Sequence, residues 1–186
     1  MPKLHVGEKM PDFTFDTPFE KGLTIGQVAK RVEGKTAVVF MRYYGCTMCQ
    51  YDIHLFKTQH EKIAATGGQM LVVLQSDPGK IAAQQGPDDL PFDIICDPDQ
   101  KLYKQFDIQP AVSKEAASDA QTMAKRAERD AYPVKFVHGE YEGNELQLPA
   151  TFIVEPDLTI TFAEYHKGNG GVPSPDELAA LLRQAE

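Results

Sequence analysis

Two nearly continuous apolar runs dominate the hydrophobic pattern of the chain, at residues 36–41 and 70–75. Runs of this length, rich in β-branched side chains, are typical of strands buried on both faces of a sheet. A third strand is predicted at residues 92–96. Residues 151–154 and 158–163 alternate between apolar and polar positions around a Glu-Pro-Asp turn, and this pattern predicts a hairpin.

Helical periodicity separates these strands. Apolar or aromatic residues recur every three or four positions over residues 53–63, and the Gly-Gly pair at 67–68 closes this helical segment. Shorter helices are predicted at residues 23–31, with Thr24 as the N-cap, and at residues 79–86, ahead of a Gly-Pro pair.

The C-terminal helix has the most complete set of sequence signals. Ser174 is its predicted N-cap, Pro175 occupies the first helical position, and Glu177 completes a capping box. Its predicted buried stripe consists of Leu178, Leu181, Leu182 and Ala185. Strands separated by helices, with a hairpin near the end, predict an α/β sandwich in which a mixed central sheet is flanked by helices.

The stretch 109–148 does not fit this alternation. Its first part, 113–129, is polar, rich in alanine and helical in pattern, whereas its second part, 132–143, carries aromatic residues. Some forty residues bury too little apolar surface for a separate core, so we interpret residues 1–186 as a single domain with an insertion at about 109–148. We expect the helix 113–129 to lie across the surface or to cover a dimer face, because it has no wide apolar stripe.

Composition and charge limit the classes of partner. The chain has 27 acidic against 19 basic residues, and a net charge of −8 disfavours nucleic acid as a partner. No apolar run is long enough to cross a bilayer, and the N-terminus lacks an apolar signal core. We therefore expect a cytoplasmic protein that does not bind membranes, in a compartment where thiols stay reduced.

The candidate chemistry lies at Cys46-Thr47-Met48-Cys49, between a predicted buried strand and the start of a helix. Free backbone N–H groups and the helix dipole favour an anion there, so the pKa of a cysteine thiol falls and its reactivity rises. Two cysteines at this spacing can also form a disulfide, one attacking and the other resolving. The motif therefore predicts a thiol redox site in which Cys46 and Cys49 are the catalytic pair.

Other interpretations of the cysteines compete with redox chemistry. A structural zinc site needs four ligands, and near the motif only His54 and His60 could add to the cysteine pair, so we expect no metal and no other cofactor. A pair of inert buried cysteines is a further alternative. Cys96 stands alone and fits a small buried apolar side chain better than a resolving thiol. Asp52 could influence proton movement, although acidic residues are common in the first turns of helices.

Residues 38–49 resemble the active-site segment of peroxiredoxin-like proteins of the alkyl hydroperoxide reductase/thiol-specific antioxidant family, in the thioredoxin-fold superfamily. Segments 6–13, 95–103 and 149–157 resemble the same family, so that the resemblance covers most of the chain. It implies a thioredoxin fold with Cys49 at the peroxidatic position. It also implies an antioxidant activity in which a thiolate attacks a hydroperoxide and a second thiol resolves the sulfenic acid.

The sequence departs from the family pattern Pro-x-x-x-Thr-x-x-Cys. Arg42 occupies the proline position, Cys46 the threonine position, and Pro149 the position of a later arginine. Arg42 could restore a cation at the site. Pro149 resembles the cis-proline that thioredoxin-like reductases place against their dithiol, with an ordinary proline at the start of a strand as the alternative. Together with Tyr44, which precedes the motif, Arg42 and Pro149 are candidates for substrate binding.

Two redox mechanisms fit these residues. In the first, Cys49 attacks a peroxide and Cys46 resolves the sulfenic acid; in the second, Cys46 attacks a protein or small-molecule disulfide and Cys49 resolves it. We favour the peroxidase, with a redox-active disulfide, because the resemblance extends along the chain. The expected partners are a hydroperoxide or disulfide substrate and a thiol reductant such as a thioredoxin-like protein, and a homodimer is compatible with the sequence. A non-catalytic binding module that senses redox state is a third hypothesis.

Overall fold

The computed structural model describes residues 2–184. Its strands are β1 (Thr14–Phe15), β2 (Leu23–Thr24), β3 (Thr36–Phe40), β4 (Gln69–Leu74), β5 (Asp93–Cys96), β6 (Ala150–Val154) and β7 (Ile160–Tyr165). Its helices are α1 (Ile25–Ala29), α2 (Thr47–Thr58), α3 (His60–Ala64), α4 (Pro78–Ala82), α5 (Lys101–Gln105), α6 (Ala120–Ala131) and α7 (Pro175–Arg183). Within this described part of the chain, no helix is both long and apolar enough to cross a membrane.

A five-stranded mixed sheet organises these elements, in the order β5-β4-β3-β6-β7. Strand β4 runs parallel to both β3 and β5, while β6 runs antiparallel to β3 and β7. The short strands β1 and β2 pair separately. The predicted mixed sheet and the predicted hairpin, formed by β6 and β7, are therefore confirmed.

Both faces of β3 are buried because successive side chains point into different hydrophobic cores. Phe40 lies in the first core, where it makes edge contacts with Tyr103, Phe106 and Phe152. Val39 lies in the second core, with apolar side chains of α2, α3 and α7. A strand between two cores needs apolar residues at every position, which explains the continuous run in the sequence.

The helix that begins at the dithiol differs from the sequence prediction in its extent. The pattern predicts one helical segment around residues 53–63, but the structure divides it at Gln59, whose φ of −121° is not helical. The hydroxyl of Thr58 donates to the carbonyl of His54 at 2.9 Å. Hydroxyl bonding of this kind competes with the backbone ladder and accompanies the break between α2 and α3.

The predicted caps of the short and terminal helices are confirmed. Thr24 and Ser174 each form a capping box, at the starts of α1 and α7. Ala185, part of the predicted C-terminal stripe, lies outside the described residues. Helix α5 was not predicted; the carboxylate of Asp97 accepts two N–H groups at its start, those of Lys101 and Leu102.

The stretch 109–148 leaves and rejoins the rest of the chain at neighbouring points, because Pro110 and Gln147 form an isolated β-bridge. Helix α6 lies within this stretch and begins later than predicted, behind its N-cap Asp119. It packs against α2 with Thr122 as its buried residue, so it lies across the surface above the dithiol helix. The remainder of the stretch returns over the start of α2.

Candidate active site

The dithiol lies where the chain passes from β3 into α2. Cys46 is the N-cap of α2, and its Sγ accepts a hydrogen bond from the backbone N–H of Cys49 at 3.4 Å. The first N–H groups of a helix have no partner within the helix, and the positive end of the helix dipole lies there. The sulfur of Cys46 therefore occupies a place where negative charge is stabilised.

Arg42 supplies a full positive charge at the same sulfur. Its Nη2 lies 2.8 Å from the Sγ of Cys46, and its Nη1 donates to the carbonyl oxygen of Glu145 at 2.8 Å. The backbone N–H of Arg42 lies 3.4 Å from the Sγ of Cys49. The structure thus brings Arg42, a candidate from the sequence, into direct contact with both cysteines.

The two cysteines have opposite pKa shifts. A hydrogen bond from the thiol of Cys49 and the charge of Arg42 lower the pKa of Cys46 to about 6, against the opposing effect of burial. Burial raises the pKa of Cys49 well above its usual range, and so does its hydrogen bond to Cys46. Both cysteines are free in this structure. At neutral pH the pair is therefore a Cys46 thiolate that accepts a hydrogen bond from a Cys49 thiol.

Little of either sulfur is open to solvent, since Cys46 is 1% exposed and Cys49 is 4% exposed. Residues 137–140, near the end of the stretch 109–148, lie over the start of α2, where the N–H of Gly139 donates to the carbonyl of Gly45 at 2.9 Å. A Cβ atom at Gly45 would stand 2.5 Å from the carbonyl oxygen of Glu140, so this close approach requires glycine.

A buried ion pair lies one turn further along α2. Asp52 is 4% exposed, and its carboxylate lies 2.7 Å from the Nζ of Lys125 on α6. Burial raises the pKa of Asp52 to about 6, although the charge of Lys125 acts in the opposite direction. Asp52 is thus not an ordinary solvated acid of a first helical turn.

Pro149 lies beside Cys49 at a small cavity. The cavity is lined by Met41, Arg42, Met48, Cys49, Asp52, Gln147, Pro149, Asn169 and Val172. Every peptide bond of residues 2–184 is trans, so the expected likeness of Pro149 to a cis-proline is wrong. Pro149 instead directly precedes β6, and its carbonyl accepts the N–H of His166 at 3.1 Å, which places it as an ordinary proline ahead of a strand.

Comparison with known proteins supplies the family. The sequence profile of the AhpC/TSA family matches residues 6–163. The chain belongs to the AhpC/TSA family. Its five-stranded mixed sheet flanked by helices is the thioredoxin-like fold, as the resemblance implies. No curated protein matches the sequence.

Solved structures of peroxiredoxins share this AhpC/TSA fold. The peroxidoxin BcpB from Mycobacterium tuberculosis has a TM-score of 0.65 and 12% identity, with 96% of each chain covered. A thiol peroxidase from Chromobacterium violaceum has a TM-score of 0.61 and 10% identity, covering 97% of this chain and 87% of that one. AhpC of Mycobacterium bovis has a TM-score of 0.60 and 17% identity, with 98% and 92% covered. At identities this low, the structural likeness shows a common fold and nothing more.

Two other candidates of this AhpC/TSA protein lie apart from the dithiol. The hydroxyl of Tyr44 donates to Gln85 at 2.9 Å, and its ring lines a separate cleft of about 430 Å³ with His54 and Phe136. Cys96 lines another cleft beside Asp97, and burial raises its pKa to about 12. Neither Tyr44 nor Cys96 lines the cavity beside Cys49.

Three residues of the site carry no recognisable signal in the sequence. Lys125 pairs with Asp52, Glu145 holds the guanidinium of Arg42 through its carbonyl, and Asn169 lines the cavity beside Cys49. All three come from segments far along the chain from the motif, and their side-chain types are common on surfaces. Among residues 2–184, no group of three or more His, Cys, Asp or Glu side chains is arranged to hold a metal ion.

Proposed function

We propose that this oxidoreductase of the AhpC/TSA family is a thiol-dependent peroxidase that reduces hydroperoxides through a dithiol–disulfide cycle of Cys46 and Cys49. One observation carries the proposal. The Sγ of Cys46 lies at the N-terminus of α2 and 2.8 Å from the Nη2 of Arg42, so it is a thiolate at neutral pH. A thiolate, and not a thiol, is the form of cysteine that attacks.

In the first step, the Cys46 thiolate attacks the terminal oxygen of the hydroperoxide. A sulfur–oxygen bond forms and the oxygen–oxygen bond breaks, which leaves Cys46 as a sulfenic acid and releases an alkoxide that takes a proton to become the alcohol. Negative charge moves from sulfur to the leaving oxygen during this step. The guanidinium of Arg42, fixed by the carbonyl of Glu145, is placed to stabilise that charge.

In the second step, Cys49 attacks the oxidised sulfur of Cys46. The backbone N–H of Cys49 donates to the Sγ of Cys46 at 3.4 Å, and Arg42 contacts both sulfurs, so the two cysteines are close before oxidation. A disulfide forms and water leaves. A thiol reductant, such as a thioredoxin-like protein in a reducing cytoplasm, then returns both cysteines to the reduced state and is itself oxidised to a disulfide.

Burial of the dithiol favours a peroxide over a disulfide as the oxidising substrate. With Cys46 only 1% exposed, a small hydroperoxide needs far less displacement of the segment 137–140 than a protein disulfide would. The order of attack in this proposal is opposite to that implied by the family resemblance, which assigns the peroxidatic position to Cys49. The pKa shifts support Cys46 as the first nucleophile.

Single substitutions separate these alternatives. We expect Cys46→Ser to abolish peroxide consumption and the trapping of a sulfenic acid by dimedone, and Cys49→Ser to retain one turnover that ends in a stable sulfenic acid. Cys96→Ser, which changes a thiol away from the site, is the matched control and should behave like the wild type. The reverse pattern for Cys46 and Cys49 would restore the order implied by the resemblance. Absence of peroxide consumption in the wild type would refute the peroxidase.

A further inference from the structure

The small cavity beside Cys49 has room for one water molecule. The centre of a water molecule can occupy about 10 Å³ of this cavity, which is close to the space that one buried water needs. Its lining residues include Cys49, Asp52 and Asn169. These three residues carry polar side-chain groups, and a buried water needs polar partners of this kind.

Asn169 provides an independent indication of a ligand in this cavity. Its side-chain oxygen is buried and accepts no hydrogen bond from any residue in 2–184. Its backbone N–H, by contrast, donates to the carbonyl of Ala117 at 2.9 Å, so the loop that carries it is fixed. Nearly all buried polar atoms in proteins have a partner, and leaving one without costs free energy. A water in the cavity would donate the missing hydrogen bond.

The charged and titratable groups around Asp52 come from several elements. Lys125 and Glu128 face it from α6, and Cys46 faces it from the start of α2. Arg42 also lines the cavity and contacts both cysteines, and His166 contributes through its proximity to Lys125. Lys125 is held in place because it also donates to the carbonyl of Val172 at 2.6 Å. Asp52 therefore faces the cavity as a carboxylate with one fixed cation behind it.

We propose that the cavity binds a single water, which donates a hydrogen bond to Asn169 and connects the Cys49 thiol to the Asp52 carboxylate, and that Asp52 receives the thiol proton when Cys49 resolves oxidised Cys46. This role rests on the proposed peroxidase function. The proton passes from the Cys49 sulfur through the water to Asp52, and the Cys49 thiolate attacks the Cys46 sulfenic acid. The sulfur–sulfur bond forms as the sulfur–oxygen bond of Cys46 breaks. The departing hydroxide takes the proton from Asp52 and leaves as water.

The need for such a proton acceptor follows from the two sulfurs. Burial raises the pKa of Cys49, so its thiol does not ionise readily by itself. Oxidation of Cys46 removes the thiolate that accepts the hydrogen bond of Cys49 in the reduced protein. A base close to Cys49 is then required at the moment of attack, and Asp52 is the carboxylate that shares the cavity with it. Asp52 acts through the water and is therefore a positioning residue for the proton.

A single-turnover experiment tests the role of Asp52. Stopped-flow fluorescence or rapid quenching follows the first-order conversion of the Cys46 sulfenic acid into the disulfide, a phase whose rate does not depend on peroxide concentration. We expect Asp52→Asn to slow this phase by about tenfold or more and to remove its inflection near the pKa of the carboxyl. Asp176→Asn, an exposed acid of α7, is the matched control. An unchanged rate and pH profile in Asp52→Asn would overturn the proposal.

A second variant addresses the water without disturbing the ion pair. Asn169→Leu removes the acceptor and fills the cavity, so it should also slow disulfide formation, while the thermal melt shows whether the protein still folds. In a crystal structure of the reduced wild type, one ordered water should lie within hydrogen-bond distance of Asn169 and Asp52; an empty cavity would refute the site. Failure of the peroxidase itself would appear differently, as a wild type that forms no sulfenic acid while the water is still present.

Discussion

The junction between β3 and α2 and the stretch at about 109–148, which we interpret as an insertion, make different contributions to the same site. At the junction, Arg42, Cys46 and Cys49 lie within eight positions and contact one another through a strand end, a turn and a helix cap. The insertion adds Lys125 behind the buried acid and the segment 137–140 over the thiols. Local sequence therefore places the cation and the helix terminus at the two sulfurs, and distant sequence covers them and supplies the partner of Asp52.

The largest expected effect is a pH dependence of the free energy of unfolding. Its sign is opposite for Cys46, at the junction, and for Asp52, which pairs with Lys125 of the insertion. The pKa of Cys46 in the folded protein, about 6, lies below its value in the unfolded chain. Its ionisation therefore stabilises the folded state fully above the unfolded pKa, and this stabilisation is lost as the pH falls through about 6. This contribution is up to about 4 kcal/mol. The folded pKa of Asp52 is raised to about 6, so its contribution is present below its unfolded pKa and is lost as the pH rises through about 6.

Urea unfolding of the reduced protein across this range measures both contributions. Stability should fall from acidic pH towards about pH 6 and rise again above it, until ionisation of Cys49 reverses the trend at high pH. Cys46→Ser should flatten the rise, and the double variant Asp52→Asn/Lys125→Met should flatten the fall. A rise that persists in Cys46→Ser would show that the junction thiolate is not its cause.

Removal of Lys125, the cation that pairs with Asp52, gives the next largest expected effect on stability. Lys125→Met leaves Asp52 buried without its partner, and we expect a loss of about 3 kcal/mol at neutral pH. The loss should shrink in acid, because the variant can then fold with Asp52 protonated. Lys62→Met, which breaks a more exposed pair with Asp176, is the matched control and should cost under about 1 kcal/mol. Equal losses by Lys125→Met in acid and at neutral pH would indicate lost packing instead of lost charge.

Most of the fold was accessible from the sequence because its signals are local or periodic. The apolar runs at 36–41 and 70–75 mark strands between two cores, and the capping boxes mark helix starts wherever they occur. The break at Gln59 and the five-residue helix α5 were not predicted. The break accompanies a single hydroxyl contact of Thr58, and α5 follows a turn in which Gln100 is left-handed. Neither feature leaves a periodic pattern in the sequence.

The site was predictable only as far as the junction extends. Cys46, Cys49 and Arg42 follow from the motif and its position between strand and helix. The partnership of Asp52 with Lys125, and the place of Asn169 in the cavity, depend on how the insertion and the loop after β7 pack onto α2. Pairings of this kind are set by tertiary structure, so a single sequence contains no signal for them.

Arg42→Met tests whether the junction alone sets the charge of the Cys46 sulfur. Loss of the guanidinium should raise the pKa of Cys46 towards its ordinary value, since one cause of its lowering is removed. Below neutral pH, the second-order rate with hydrogen peroxide should fall by about tenfold, which corresponds to about 1.4 kcal/mol. The ultraviolet absorbance of the thiolate, followed against pH, measures the shift directly.

Arg42→Lys is the conservative control for this prediction. It keeps a cation but cannot hold the carbonyl of Glu145 and the sulfur of Cys46 in the same planar arrangement, so it should fall between the wild type and Arg42→Met. A thiolate titration that is the same in all three proteins would assign the low pKa of Cys46 to the helix terminus and the Cys49 thiol alone.

The smallest expected effect on stability concerns the contact between the two regions. Gly45→Ala would place a Cβ 2.5 Å from the carbonyl oxygen of Glu140 and 2.9 Å from the carbonyl carbon of Gly139, so the segment 137–140 must move. Because that segment is a loop, we expect a loss of only about 1 kcal/mol. The hydrogen bond from Gly139 to Gly45 should break, and iodoacetamide should alkylate Cys46 faster than in the wild type.

Gly86→Ala is the control for this last substitution, since a Cβ there meets nothing closer than 3.7 Å. If Gly45→Ala also accelerates reduction of the Cys46–Cys49 disulfide by a protein thiol but leaves reduction by a small thiol unchanged, the segment 137–140 limits access by size. That result would show that the insertion selects which reagents reach a sulfur whose charge is set at the junction. Unchanged alkylation in Gly45→Ala would instead mean that reagents reach Cys46 by another side of α2.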